Sequence, residues 1–328
     1  MPSTWNRILE ELQAEEKRSG FIAPWARLLR VKVNAITAFT KRPLIIYGSA
    51  CTVSGKGVPP AKLQIDSSDY VGFHEMLEGL TGPNLDVIVH SPGGYPDATE
   101  SIVEMIRRKF SHVRFIVPSY AKSAATMMAM SGDEIILSED AELGPIDPQM
   151  LTPNGVSPAE AIKEQFERAS KEILLDGKKL TIWLPILQPL GPALLVQCDN
   201  AIALSRKLVA EWLVNFMLRG VPDANAKADR VAELLAKHDF WKSHGRRVKF
   251  EHLNKPEFGL KLGKLEDLPA LHLAAWEVYC VMDLVFHNTT INKLFYNSEH
   301  AAMTRTHVNQ PPILVQPPTP APQPAPKP

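Results

Sequence analysis

The pattern of apolar and polar positions divides the chain into two regimes. Through about residue 156, short apolar runs alternate with amphipathic stretches. "PLIIYG" (43–48), "LDVIVH" (85–90), "VRFIVP" (113–118) and "EIILS" (134–138) predict buried strands. "DYVGFHEMLEGL" (69–80) and "ATESIVEMIRRKF" (98–110) predict helices, the second with Ile102, Met105 and Ile106 on one face. A further helix is expected from Ser123. Strands and helices that alternate this closely predict a parallel sheet with crossover helices. Before this region, residues 1–40 read as a helical lead-in. After it, the pattern is mostly helical: a helix capped by Ser157, a long one closed by Gly220, another over "NAKADRVAELLAKHDF", and a last one over "PALHLAAWEVYCVMDLVFHN". "SHGRRVKFEHLNKPEFGLKLGKLED" reads as irregular or β. The expected divisions are therefore 1–40, a core at 41–156, a mostly helical part at 157–305, and a proline-rich tail at 306–328, expected to be disordered.

Two loops carry candidate chemistry. "HSPGGYP" follows one predicted strand and "YAKSAAT" follows the next, with one crossover helix between them. In a parallel sheet both loops emerge at the same edge, so Gly93, Gly94 and Ser123 are expected to be neighbours. Ser123 heads a helix, where backbone N–H groups are unpaired and the dipole is positive. A serine oxygen there, beside the N–H groups of Ala124 and Gly94, is a layout for a nucleophile and an oxyanion hole. Ala121, Ala124 and Ala125 keep the approach clear, and Met127, Met128 and Met130 bury the helix. Taken singly, a serine at a helix start is ordinarily a cap and a "PGG" ordinarily a turn. Their shared sheet edge is what points to a site.

Composition narrows the classes. The 328 residues are 45% hydrophobic and 22% charged, enough for a sizeable core, and the formal net charge of zero gives no sign of a nucleic-acid partner. Cys51, Cys198 and Cys280 have no metal or disulfide spacing, which favours a reducing, cytoplasmic setting. No secretory h-region is visible at the N-terminus. The apolar segment 180–198 is broken by Pro185, Pro189 and Pro192, so a buried or oligomer-facing role is expected before membrane contact.

"HSPGG", Ser123 within "AKSAATMMAMSG", "LGPIDPQ" and the later "SHGRRVKFEHLNKPEFGLKL" resemble the serine dehydrogenase proteinase family. That family lies within the Clp-protease/crotonase superfamily and is related to signal peptide peptidase A. The resemblance spans roughly 40–265 and is strongest over 85–150. It implies an α/β fold, a crotonase/Clp-protease-like spiral of ββα units with a mostly helical C-terminal part. It also implies a serine-type hydrolase, a peptidase acting on a peptide or protein substrate as a homo-oligomer without metal or organic cofactor. By position, Ser123 matches the nucleophile, Gly94 and Ala124 the oxyanion donors, Gly93 the shaping residue, and Gly132 the glycine ending the nucleophile helix. Where the Clp proteases have their histidine, this chain has Asp147, whose usual pKa of about 3.9 suits a general base poorly near neutral pH. His90, His244 and Lys163 are the other candidate bases, while Lys122, adjacent to Ser123, points elsewhere on the helix. The alternatives to a hydrolase are a non-catalytic oligomeric binding protein and a crotonase-type acyl-CoA enzyme. No G-x-G-x-x-G follows a strand, so a dinucleotide role is not expected.

Overall fold

The computed structural model describes residues 3–19 and 23–307. Its centre is a seven-stranded sheet in the order β11-β10-β1-β2-β3-β5-β9. The parallel part is β1 (Leu44–Ser49), β2 (Asn84–His90), β3 (His112–Val117), β5 (Glu134–Leu137) and β9 (Leu262–Lys264). β10 (Ile291–Asn297) runs antiparallel to β1, and β11 (Ala302–Thr306) antiparallel to β10. β4 (Tyr120–Ala121) and β6 (Glu142–Leu143) pair in a small separate sheet, and β7 (Gln149–Thr152) with β8 (Gly155–Pro158) makes a hairpin.

Helices cover both faces of the large sheet. On one face lie α3 (Asp69–Leu77), α4 (Pro96–Lys109), α5 (Ala124–Met130), α8 (Leu194–Asn215), α9 (Ala224–Ala236), α10 (His238–Trp241) and α11 (Phe250–Leu253). On the other lie α1 (Thr4–Ser19), α2 (Pro24–Thr40) and α12 (Pro269–Asn288). Strand alternation explains the division: Leu85, Val87 and Val89 enter the first core while Ile88, between them, enters the second. α12 is long and apolar enough to cross a membrane, yet most of it is buried against the sheet and α2.

The sequence pattern located the first four parallel strands and their crossover helices, while β9 lies in the segment read only as irregular or β. Mixed α/β content around a central sheet agrees with the expected class. Several details differ. Ser157 does not cap a helix: it lies in β8, and α6 (Ala159–Leu175) starts behind Pro158 with no side-chain cap. β10 and β11 extend the sheet where only the last helix was expected. Of the two roles expected for the apolar segment, burial does not hold over α7 (Leu180–Leu187), where Leu180, Ile182, Leu184 and Ile186 are exposed and only Trp183 is buried. The proline-rich tail expected after residue 306 lies, beyond His307, outside the described residues.

Candidate active site

The carboxyl ends of β2 and β3 open into loops stitched together by single backbone pairings. Ile65 pairs with Gly94, Ser91 with Ala121, Tyr120 and Ala121 with Glu142 and Leu143, and Leu143 with Val248. This ladder brings five distant segments to one sheet edge. Ser91 N–H donates to Tyr120 O at 3.0 Å and Lys122 N–H to Ser91 O at 3.0 Å, which joins the glycine loop to the serine turn. A Cβ on Gly93 would lie 2.7 Å from Ser123 Cβ and 2.7 Å from Ala124 N, so only glycine fits that approach, at φ +90°.

Ser123 is held in an unusual conformation, φ 51° and ψ −123°. Lys41, Asp223 and Lys242 also have positive φ, but their ψ values of 32°, 32° and −8° place them in or near ordinary left-handed turns. Ser123 lies far outside that region. Such a backbone costs on the order of 1–3 kcal/mol and persists only where its surroundings over-determine it. A strand-to-helix turn of this kind lifts a nucleophile out of the sheet edge. The hydroxyl makes no capping bond, so the serine is not serving as an ordinary N-cap. The turn is braced by Thr126, whose buried hydroxyl donates to Ala121 O at 2.7 Å and accepts from Gly144 N–H at 2.8 Å.

The two candidate amides are free to receive an oxygen. In the Ile65–Gly94 pairing, Ile65 N–H donates to Gly93 O at 2.7 Å and Tyr95 N–H to Ile65 O at 2.9 Å. In a parallel pairing of this kind the bonds fall on the flanking residues, so Gly94's own N–H faces the opposite side. Among the described residues, neither the Gly94 nor the Ala124 N–H donates to a backbone carbonyl.

Asp147 is buried and accepts hydrogen bonds on both oxygens. His244 Nδ1 lies 2.7 Å from Oδ1; His238 Nδ1 lies 3.0 Å and Gln149 Nε2 2.9 Å from Oδ2. An ionised carboxylate only accepts, so Nδ1 of His244 carries the proton and Nε2 is the basic nitrogen. Lys122 ties this histidine's loop to the serine turn. Its Nζ reaches Glu142 at 2.8 Å, Arg246 O at 3.1 Å and Gly245 O at 3.3 Å. Burial lowers the Lys122 pKa, with Glu142 opposing the shift. Among the described residues, no hydrogen bond joins Ser123 to His244; catalytic contacts are commonly loose before substrate arrives.

The remaining candidates lie elsewhere. His90 is on the face of β2 that carries Ile88. There its Nε2 is 3.3 Å from Thr52 Oγ1 and its ring packs near Tyr120 and Tyr279. Burial pulls its pKa down to about 4, and it does not join Asp147. Lys163 pairs with Asp199 at 2.5 Å on α6, which raises its pKa. The structure therefore packs Gly93, next to Gly94, against Ser123 and Ala124, joins Asp147 to His244, links the two sets through Lys122, and leaves His90 and Lys163 outside. Sequence reasoning missed His238, Thr126 and the tether made by Lys122 and Glu142. None of these has a local spacing signal, and His238 and the Lys122–Glu142 tether act across long chain separations.

Residues 65–182 match the model of the ClpP-like SDH-type serine proteinase family. Two uncharacterized proteins of Methanocaldococcus jannaschii are also similar. One is 36% identical over 100 residues, covering 30% of this chain and 34% of the relative. The other is 39% identical over 84 residues, covering 26% and 28%. The chain thus spans about a third of the length of these curated relatives. A solved point mutant of a membrane-bound stomatin-specific protease aligns with TM-score 0.38 at 17% identity, over 63% of this chain and 79% of that one. The matched residues 65–182 contain the glycine loop, the strained serine and Asp147, so it is in this part that the chain is similar to the ClpP-like SDH-type serine proteinase family.

Proposed function

We infer that this chain is a serine peptidase with Ser123 as nucleophile. The observation that carries this reading is the Ser123 backbone, a strained turn with an uncapped hydroxyl at the edge where Gly93 packs against it. His244 Nε2 takes the Ser123 proton as Oγ attacks the substrate carbonyl carbon. The oxygen of the tetrahedral intermediate sits on the N–H groups of Gly94 and Ala124. The C–N bond then breaks, and His244 returns the proton to the leaving amine. Water, activated by the same nitrogen, releases the acyl group. Asp147 orients the imidazole and stabilises its charged form, while His238 and Gln149 fix the carboxylate. This role suits an aspartate better than that of general base. The binding-protein alternative drew on the lack of a histidine at position 147, and a histidine on that carboxylate removes its motive.

Three further features belong to this reading. The core is a spiral of ββα units, supported by the short β4 and β6 strands that stand off the main sheet. The substrate is a peptide or protein. The working form is a homo-oligomer.

The test is labelling by a fluorophosphonate probe and turnover of a p-nitrophenyl ester, with folding checked by circular dichroism. Wild type labels at Ser123. Ser123→Ala neither labels nor turns over. His244→Ala and Asp147→Asn each lose on the order of 10²–10⁴ in kcat, the usual range for a positioned acid–base group. A folded Ser123→Ala protein with full activity would falsify the nucleophile.

A further inference from the structure

Behind the glycine loop lies a buried ion pair with no part in the chemistry. Lys293 on β10 is 1% exposed, and Asp69, at the start of α3, is fully buried. Lys293 Nζ lies 2.7 and 2.9 Å from the two Asp69 oxygens and donates to Gln64 O at 2.6 Å; Asp66 Oδ2 is 3.5 Å away. Asp69 Oδ2 also accepts from Tyr47 Oη at 3.0 Å and from Asp66 N–H at 3.2 Å. Arg305 Nε stands 3.9 Å from Oδ1.

These contacts hold residues 64, 66 and 69 from a neighbouring strand. Ile65 sits between two of them, and its N–H and C=O are the two groups that grip Gly93 and Tyr95. No side chain intervenes, since a Cβ on Gly94 would fall 2.2 Å from Ile65 O. The direction of the Gly94 N–H thus depends on Ile65, and Ile65 is placed by the pair. Buried ion pairs are poor stabilisers compared with apolar residues of the same volume, so this one calls for another explanation.

We propose that Lys293 and Asp69 are positioning residues that aim the Gly94 amide at the oxyanion. The proposal rests on the serine-peptidase reading. A misplaced donor weakens binding of the transition state more than that of the ground state, so kcat falls and KM changes little.

The experiment compares wild type, Asp69→Leu/Lys293→Met and Tyr47→Phe. It measures kcat and KM on p-nitrophenyl butyrate, the labelling rate with an aryl fluorophosphonate, and amide exchange at Ile65 and Tyr95. The double variant removes both fully buried charges together, and the two charged neighbours that lose a partner, Asp66 and Arg305, are partly exposed. It is expected to lose about 10²-fold in kcat and in labelling rate, as for a lost oxyanion donor, with exchange at both amides accelerated. Tyr47→Phe removes one hydrogen bond to Asp69 and loses about fivefold in kcat, the equivalent of one ordinary net bond. A folded double variant that labels and turns over like wild type overturns the proposal and leaves the nucleophile standing. If the double variant does not fold, unchanged kcat and unchanged exchange in Tyr47→Phe overturn it instead. Wild type that neither labels nor turns over removes the peptidase reading, and this proposal with it.

Discussion

A histidine enclosed among rings and apolar groups makes stability depend on pH. His90 Nδ1 is buried without a partner, and burial holds the ring's pKa near 4 against an ordinary 6.5. Between those values the unfolded chain binds a proton that the folded chain refuses. Stability contributed by His90 is therefore full above about pH 6.5, falls as pH drops through the window, and levels off below about pH 4. From pH 7 to pH 5 the expected loss is about 2 kcal/mol. Urea unfolding at the two pH values, in wild type and His90→Leu, isolates it: the variant should lose less by that amount. An equal loss in both would show that His90 is hydrated or charged in the folded state. His90 also shows the limit of reading single residues from sequence. It ends the strand before the glycines, but side chains alternate along a strand, and its parity turns it to the face away from α5. Ser123 was legible because small residues, a preceding strand and a partner loop all agreed. His244 was legible only as one candidate among several, since nothing local ties it to Asp147. His238 carried no such signal at all.

At the scale of elements, close backbone packing makes the glycine loop intolerant. Gly93→Ala places a methyl 2.5 Å from Lys122 O at φ +90°. The strain alone is on the order of 1–3 kcal/mol, and relief of the clash must move the serine turn. Chemical denaturation and ester turnover should both fall, whereas Gly177→Ala, with open space around its Cβ, should change neither. Wild-type activity in Gly93→Ala would mean the loop and the turn are not coupled. The first four parallel strands and their crossover helices were readable because they are runs of apolar residues or clean helical periods. β10 was not. "INKLFYN" is buried throughout, yet Asn292, Lys293 and Asn297 give it the look of a loop. Its polar residues find partners far away in sequence: Lys293 at Asp69, and Asn297 donating to Met76 O at 2.9 Å. Burial paid for by distant partners leaves no local trace. The β7–β8 hairpin was hidden for a simpler reason, since Ser157 two residues before a helix looks like a cap.

For the molecule as a whole, exposed apolar side chains occur along much of the described chain, and the most exposed of them fall between residues 151 and 196. Leu151, Val156, Leu174, Leu175, Ile182 and Val196 are each more than half exposed. Apolar side chains left this open to water are candidates for an interaction face. With the proposed homo-oligomer, light scattering at micromolar concentration should give a multiple of 36.4 kDa, and Ile182→Asp should reduce it. A wild-type mass near 36.4 kDa would contradict that assembly. The ladder of single pairings that joins residues 65, 94, 121, 143 and 248 bears on a different question, that of timing. Its last rung is contributed by the segment that brings His244. During synthesis the nucleophile turn emerges from the ribosome long before its proton acceptor does. With the proposed roles, a nascent or truncated chain that stops short of His244 carries the serine and lacks the base that would activate it. On that reading, the order of residues along the chain would keep the enzyme silent until its own fold is nearly complete.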